Sequence, residues 1–227
     1  QAFALHFGLT PEEHRASALQ VLLDDVAAHD GHLTTGIFGT KYMLQSLTDA
    51  GRADIAYTIA NQKTFPGWGH MLDGGATTLW EHWEFSDNTF SHNHPMFGSV
   101  SEWFFRALVG INPAEDAVGF NRIVIRPQVV GGLEWARGAY ESARGRIAVD
   151  WRREDGRLLL NVTIPANTSA VVQFPVAAGS ETVTVDGRPM GDVAEVKVIS
   201  DQSVPTARIG SGTYRFECEM PATQPSK

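Results

Sequence analysis

Along residues 1–110 the apolar side chains recur every three or four places, and beyond Ile111 they alternate with polar ones. The first period is that of amphipathic helices and the second that of half-buried strands. Gln1 to Phe7 reads as the end of a helix stopped by Gly8. Thr10-Pro11-Glu12-Glu13 places an N-cap threonine, a proline at the first helical position and a glutamate three residues after the cap, so a helix follows, with Leu19, Leu22, Leu23 and Val26 on its apolar face. After a loop over residues 34–40, Met43, Leu44 and Leu47 mark a second long helix closed by Gly51, and Ile55, Ala56 and Ile59 mark a third. Phe65-Pro66-Gly67-Trp68-Gly69 reads as irregular. Ser99-Val100-Ser101-Glu102 is a capping box, with Trp103, Phe104, Ala107 and Leu108 continuing the helix to Gly110.

Residues 122–126, 145–151, 158–164, 170–174, 182–185, 193–199 and 213–219 form short β-type runs, and Asp155-Gly156 and Asp186-Gly187 are hairpin-turn signals. About seven or eight strands in this span predict an antiparallel β-sandwich over 111–227. Trp135 and Trp151 are expected in its core.

Gly74-Gly75-Ala76-Thr77-Thr78-Leu79-Trp80-Glu81-His82-Trp83 is the stretch with the clearest chemistry. The glycines allow a sharp turn, Thr77 or Thr78 can cap a helix, and Glu81 then falls in its first turn, where the dipole favours a carboxylate. Trp80 and Trp83 bracket that charge. Indoles buried in a core normally pack with aliphatic side chains, whereas beside a carboxylate they offer flat apolar platforms for a sugar ring.

Charge and histidine usage point to the same half of the chain. The formal net charge is −8, and residues 1–110 hold 5 basic and 12 acidic side chains against 13 and 14 in 111–227. All eight histidines precede residue 95. No basic stripe suggests nucleic acid, and no apolar tract is long enough to cross a bilayer. Cys218 is the single cysteine, which excludes an internal disulfide and a cysteine-built zinc site without fixing a compartment. No cofactor is indicated. A chain that opens on Gln1 within a helix is expected to be a piece of a longer protein.

Four stretches carry a family likeness: residues 1–11, the loop 33–40, Gly75 to Trp83, and Ser91-His92-Asn93-His94 followed by Gly98 to Trp103. In this order they resemble the C-terminal portion of the bacterial α-L-rhamnosidases of glycoside hydrolase family 78. The resemblance implies a multidomain α and β fold. Residues 1–110 would be the C-terminal part of an (α/α)6 catalytic barrel, and 111–227 a C-terminal β-sandwich domain. It also implies inverting hydrolysis, in which an acid protonates the leaving oxygen and a carboxylate roughly 6.5–9.5 Å away activates water. By motif match Glu81 takes the part of the general base and His94 that of a sugar-contacting histidine; Trp80 and Trp83 are read as substrate-binding aromatics, although one helix cannot turn both toward Glu81 with equal ease, which leaves a core position open for one of them. The general acid would lie upstream of Gln1. The implied partners are a rhamnose-containing glycoside and the upstream half of the same enzyme, without which the chain is expected to be inactive.

Other readings stay open at this point. Another (α/α)6 glycosidase or phosphorylase acting on a different sugar shares the barrel, and a non-catalytic sugar-binding fragment would lack the acid. Asp73, Glu84 and Asp87 are expected to be solvated charges, because a carboxylate three places from Glu81 on one helix lies on the wrong side of a sugar for inversion. His82, His92 and His94 with Asp87 lack the spacing of a metal ligand set, so no metal is expected. His29, His32 and His70 are read as loop residues.

Overall fold

The computed structural model describes residues 1–176, 183–200 and 202–220. The chain divides into two compact units, Gln1–Trp103 and Phe104–Lys227.

The first unit is helical. Its elements are α1 (Ala2–His6), α2 (Glu12–Ala28), α3 (Ile37–Asp49), α4 (Ala53–Ala60), α5 (Trp68–Asp73) and α6 (Ser99–Trp103). The expected apolar faces are the buried ones: Leu22 and Val26 on α2, Met43, Leu44 and Leu47 on α3, Ala56 and Ile59 on α4. Left-handed glycines close three of these elements, with φ of 64° at Gly8, 81° at Gly31 and 76° at Gly51. Four tryptophans sit in this core, and three of their N–H groups have partners: Trp68 donates to Phe97 O, Trp83 to Thr35 O and Trp103 to Thr48 Oγ1. A buried indole needs such a partner, so each bond fixes a ring orientation as well as filling volume.

Several local expectations are corrected. Neither capping box forms. α2 starts after Pro11 with no side-chain cap bond, and a 3-10 turn over Pro95–Gly98 runs straight into α6, so Ser99 is not at a free helix end. Helix α3 begins at Ile37, inside the segment read as a loop. Helix α5 follows Gly67 in the segment read as irregular. Residues 104–109 continue as a π-helical turn.

The second unit contains two sheets. Its strands are β1 (Ile111–Pro113), β2 (Arg122–Ile125), β3 (Trp135–Ser142), β4 (Gly145–Glu154), β5 (Arg157–Ile164), β6 (Ser169–Gln173), β7 (Thr184–Val185), β8 (Arg188–Pro189), β9 (Val196–Ile199), β10 (Thr206–Ile209) and β11 (Gly212–Glu219). One sheet has the order β1-β2-β6-β10-β9 and the other β3-β4-β5-β11-β7-β8. Among the described residues pairing is antiparallel except between β2 and β6, which run parallel. The expectation of wholly antiparallel pairing is corrected at that point. Both hairpin signals are met: Asp155-Gly156 joins β4 to β5 with φ of 50° and 75°, and Asp186-Gly187 joins β7 to β8 with 49° and 77°. Two successive positive-φ residues match the right-handed strand twist, which is why Asp-Gly pairs serve there. The run expected from Thr182 starts outside the described residues, and its strand is seen from Thr184.

Alternate residues of both sheets are buried, as in a sandwich. Ile147, Val149 and Trp151 of β4 and Leu158, Leu160, Val162 and Ile164 of β5 point inward, as do Ala170 and Val172 of β6. Phe174 and Phe216 meet edge to face at 5.1 Å between the sheets. Trp151 is fully buried and donates its Nε1–H to Leu108 O at 2.7 Å, as expected of a core residue. Trp135 is not: it is 61% exposed, because its place on β3 belongs to the outer face. Burial, with a smaller push from Glu217, raises the Cys218 thiol to about 12, so it stays protonated and unreactive at neutral pH.

Candidate functional site

Glu81 is not on a helix. Residues 76–94 form a long loop between α5 and the Pro95–Gly98 turn. The expected Thr77/Thr78 cap is replaced by pairing across the loop. Glu81 N donates to Ser91 O at 2.8 Å, His94 N donates to Leu79 O at 2.8 Å, and the Thr78 hydroxyl donates to His92 O. These bonds satisfy backbone and side-chain groups that a first helical turn would otherwise have used. The loop therefore folds back on itself, and the chain segments around Glu81 and His94 lie side by side.

The Glu81 carboxylate is held on one oxygen. Oε2 accepts the Ser91 backbone N–H at 3.0 Å, and His94 Nδ1 lies 3.8 Å from the same oxygen. That separation is too long for a hydrogen bond, so the Ser91 N–H is the bond that holds this oxygen. Among the described residues no hydrogen bond engages Oε1. Both side chains are partly open, Glu81 at 32% and His94 at 25% exposure. The carboxylate thus has one anchored oxygen and one that can face a ligand or water.

The indoles divide between two roles. Trp83 is buried, stacks on Phe97 with centroids 3.8 Å apart, meets Trp68 edge-on at 5.1 Å, and is fixed by its bond to Thr35 O. It lines a pocket of about 250 Å³ together with Glu81, His82, Phe38, Phe90 and Phe97. Trp80 is also buried but does not line that pocket. It packs on Phe85 and His92, and a Cβ added at Gly74 would approach its ring to 2.8 Å. Of the two indoles, Trp83 thus shares a pocket with Glu81, while the Trp80 ring packs against the loop outside that pocket. Because the segment is not helical, side-chain directions follow the loop's own hydrogen bonds and not a 100° step.

Phe38 and Phe90 escaped sequence reasoning. Phe38 is 67% exposed on the first turn of α3, and Phe90 stacks on His82 at 5.1 Å. The available signal was a large aromatic side chain standing alone in a polar or glycine-rich run, as both do. Asp73, Glu84 and Asp87 are exposed, as expected of solvated charges. His94 lies beside Glu81, whereas His92 is directed to Ser86 O and the Phe85 ring.

A helical unit carrying one carboxylate over an aromatic pocket, followed by a two-sheet β unit, has counterparts among known proteins. Residues 1–108 match the bacterial alpha-L-rhamnosidase 6 hairpin glycosidase domain, and residues 110–188 match the bacterial alpha-L-rhamnosidase C-terminal domain. An alpha-L-rhamnosidase of Streptomyces avermitilis is 34% identical over 93% of this chain, which covers 20% of that protein. The solved alpha-L-rhamnosidase from Dictyoglumus thermophilum superposes with a TM-score of 0.85 at 34% identity, over 96% of this chain and 25% of that one. The Streptomyces avermitilis alpha-L-rhamnosidase crystallised with L-rhamnose gives 0.85 at 32% identity, over 95% and 21%. The chain belongs to the bacterial α-L-rhamnosidase family, and it spans about a fifth to a quarter of the length of these relatives.

Proposed function

We propose that this chain supplies the general base of an inverting glycoside hydrolase that releases terminal α-L-rhamnose, with Glu81 as that base. The observation that carries the reading is the one-sided anchoring of Glu81: Ser91 N–H holds Oε2 beside His94, and Oε1 is left for the attacking water. Trp83, Phe38 and Phe90 give the pocket apolar walls suited to a sugar whose C5 substituent is a methyl group, and His94, outside that lining but beside Glu81 at the pocket's edge, supplies hydrogen bonding for ring hydroxyls. Trp80 serves this site from beneath, by holding the loop.

Inversion also needs an acid across the sugar from the base. Glu81 is the carboxylate among the described residues lining the pocket, so in this reading the acid comes from the rest of the enzyme. Helices α1 to α6 are then part of an (α/α)6 barrel completed by that remainder, and the second unit is its accessory β-sandwich. The family membership of the chain supports rhamnose over other sugars.

The test is stereochemical. Proton NMR of the intact enzyme acting on an aryl α-L-rhamnoside should show β-L-rhamnose first, with the α-anomer growing in only by mutarotation. Initial formation of the α-anomer would instead require a nucleophilic carboxylate and would remove the base role from Glu81.

A further inference from the structure

The outer face of the six-stranded sheet carries a second polar site, on strands far in sequence from Glu81. Four side chains fall in one cross-strand row: Arg137 on β3 faces Asp150 on β4, Asp150 faces Asn161 on β5, and Asn161 faces Arg215 on β11. The residues flanking them on β4, β5 and β11, such as Val149, Trp151, Leu160, Val162 and Phe216, point into the core, so the row stands on the solvent side. Adjacent strands lie about 4.8 Å apart, which makes the row roughly 14 Å long. Among the described residues, no protein hydrogen bond or ion pair engages any of these four side chains. Charged and amide groups set side by side normally pair with each other.

The next row along the strands is made of small residues. Ala139, Ala148, Thr163 and Thr213 are in register, and the short side chains leave a trough of about 330 Å³ between the polar row and Arg146. Arg146 is paired with Glu141 at 2.7 Å, which closes that side. On the opposite side of the polar row, two residues and so about 6.6 Å along β3, the exposed Trp135 presents its ring on the same face.

We infer that this trough binds a neutral oligosaccharide, independently of the Glu81 pocket. Every sugar hydroxyl both donates and accepts, and the row offers a donor, an acceptor, an amide that does both, and a donor in sequence. An anion would require donors alone, and the Asp150 carboxylate at the middle of the row opposes it. The alanine floor admits the edge of a ring, and Trp135 supplies a platform for a neighbouring unit. The role of such a site is to hold a chain of sugars on the protein while the reaction takes place elsewhere.

The experiment is a TROSY NMR titration of the intact enzyme, 15N-labelled at tryptophan and asparagine, with neutral hexasaccharides of glucose, xylose and mannose, and with hexagalacturonate as the charged control. At least one neutral probe should shift the Asn161 side-chain amide and the Trp135 indole N–H, saturating at or below about 1 mM. The double variant Asp150→Ala/Asn161→Ala, both on the exposed face, should weaken that binding at least ~10-fold, a loss of about 1.4 kcal/mol, while leaving the remaining amide spectrum in place. Silence of both reporters with all neutral probes overturns the inference. So does equal binding by the double variant, or tighter binding of hexagalacturonate. Affinity electrophoresis of the intact enzyme, with and without the same two substitutions, reads the trough in its full context. Equal retardation of the two proteins in a gel containing the responding polysaccharide counts against the site.

Discussion

Exchanging Glu81 for glutamine in the intact enzyme should lower turnover by about 10²-fold or more while leaving rhamnoside affinity nearly unchanged. The substitution is isosteric. An amide oxygen still accepts the Ser91 N–H that now holds Oε2, so the loop keeps its cross-bond, but the side chain can no longer take a proton from water. His94 lies 3.8 Å from that oxygen, beyond hydrogen-bond reach, so no further bond is broken. The kinetic signature is therefore a fall in kcat with little change in KM, measured on an aryl α-L-rhamnoside with far-UV circular dichroism matching the parent. Retention of parental kcat would take Glu81 out of the mechanism.

A comparably large effect, on stability, is expected at Trp151. The indole is fully buried between the sheets of the second unit and satisfies Leu108 O. Trp151→Ala removes both the volume and the donor, and losses of about 3–5 kcal/mol are usual for a buried tryptophan. Against a typical domain stability of about 5–15 kcal/mol, that takes away a large share of the native margin. Trp151→Phe keeps most of the volume and leaves the carbonyl unpaired, so its cost should be smaller, about 1–3 kcal/mol. Urea unfolding followed at the β-sheet circular-dichroism band ranks the two. Near-equal midpoints for both variants and the parent would mean that the indole is not integral to this core.

What the sequence revealed depended on how local its cause was. The Asp155-Gly156 and Asp186-Gly187 turns could be read directly, because two residues determine the positive φ angles that they need. Helices α2, α3 and α4 were legible from the spacing of Leu22, Val26, Met43, Leu47, Ala56 and Ile59, since burial of one face repeats with the helix. Motif likeness singles out Glu81 and His94, and their side chains lie 3.8 Å apart. The backbone around them was misread. The Thr78 hydroxyl bonds fourteen residues away instead of capping its own turn, and Ser91 reaches back ten residues to Glu81. Contacts of that span leave no periodic trace. The same limit hid β3, on which Tyr140, on the face that Ala136 buries, is exposed along with the outer Trp135 and Arg137 and so breaks the expected alternation, and it hid Trp80's burial beneath the loop.

The parallel pairing of β2 with β6 sets the order in which the second unit can assemble. Ile123 aligns with Ala170, so the intervening chain must be gathered before that ladder can close, whereas β3, β4 and β5 join through short connections. Closing a long loop costs entropy that only the finished ladder repays, and topologies rich in such contacts fold slowly. We expect the β3-β4-β5 meander to be formed in the folding transition state and the β2-β6 ladder to close after it. In stopped-flow refolding, Gly156→Ala in the meander's turn should chiefly slow folding, while Ile123→Val on β2 should chiefly speed unfolding. The reverse pattern would place the nucleus at the crossover. A parallel joint that closes after the barrier thus leaves the folding rate largely alone and makes the second unit slow to come apart.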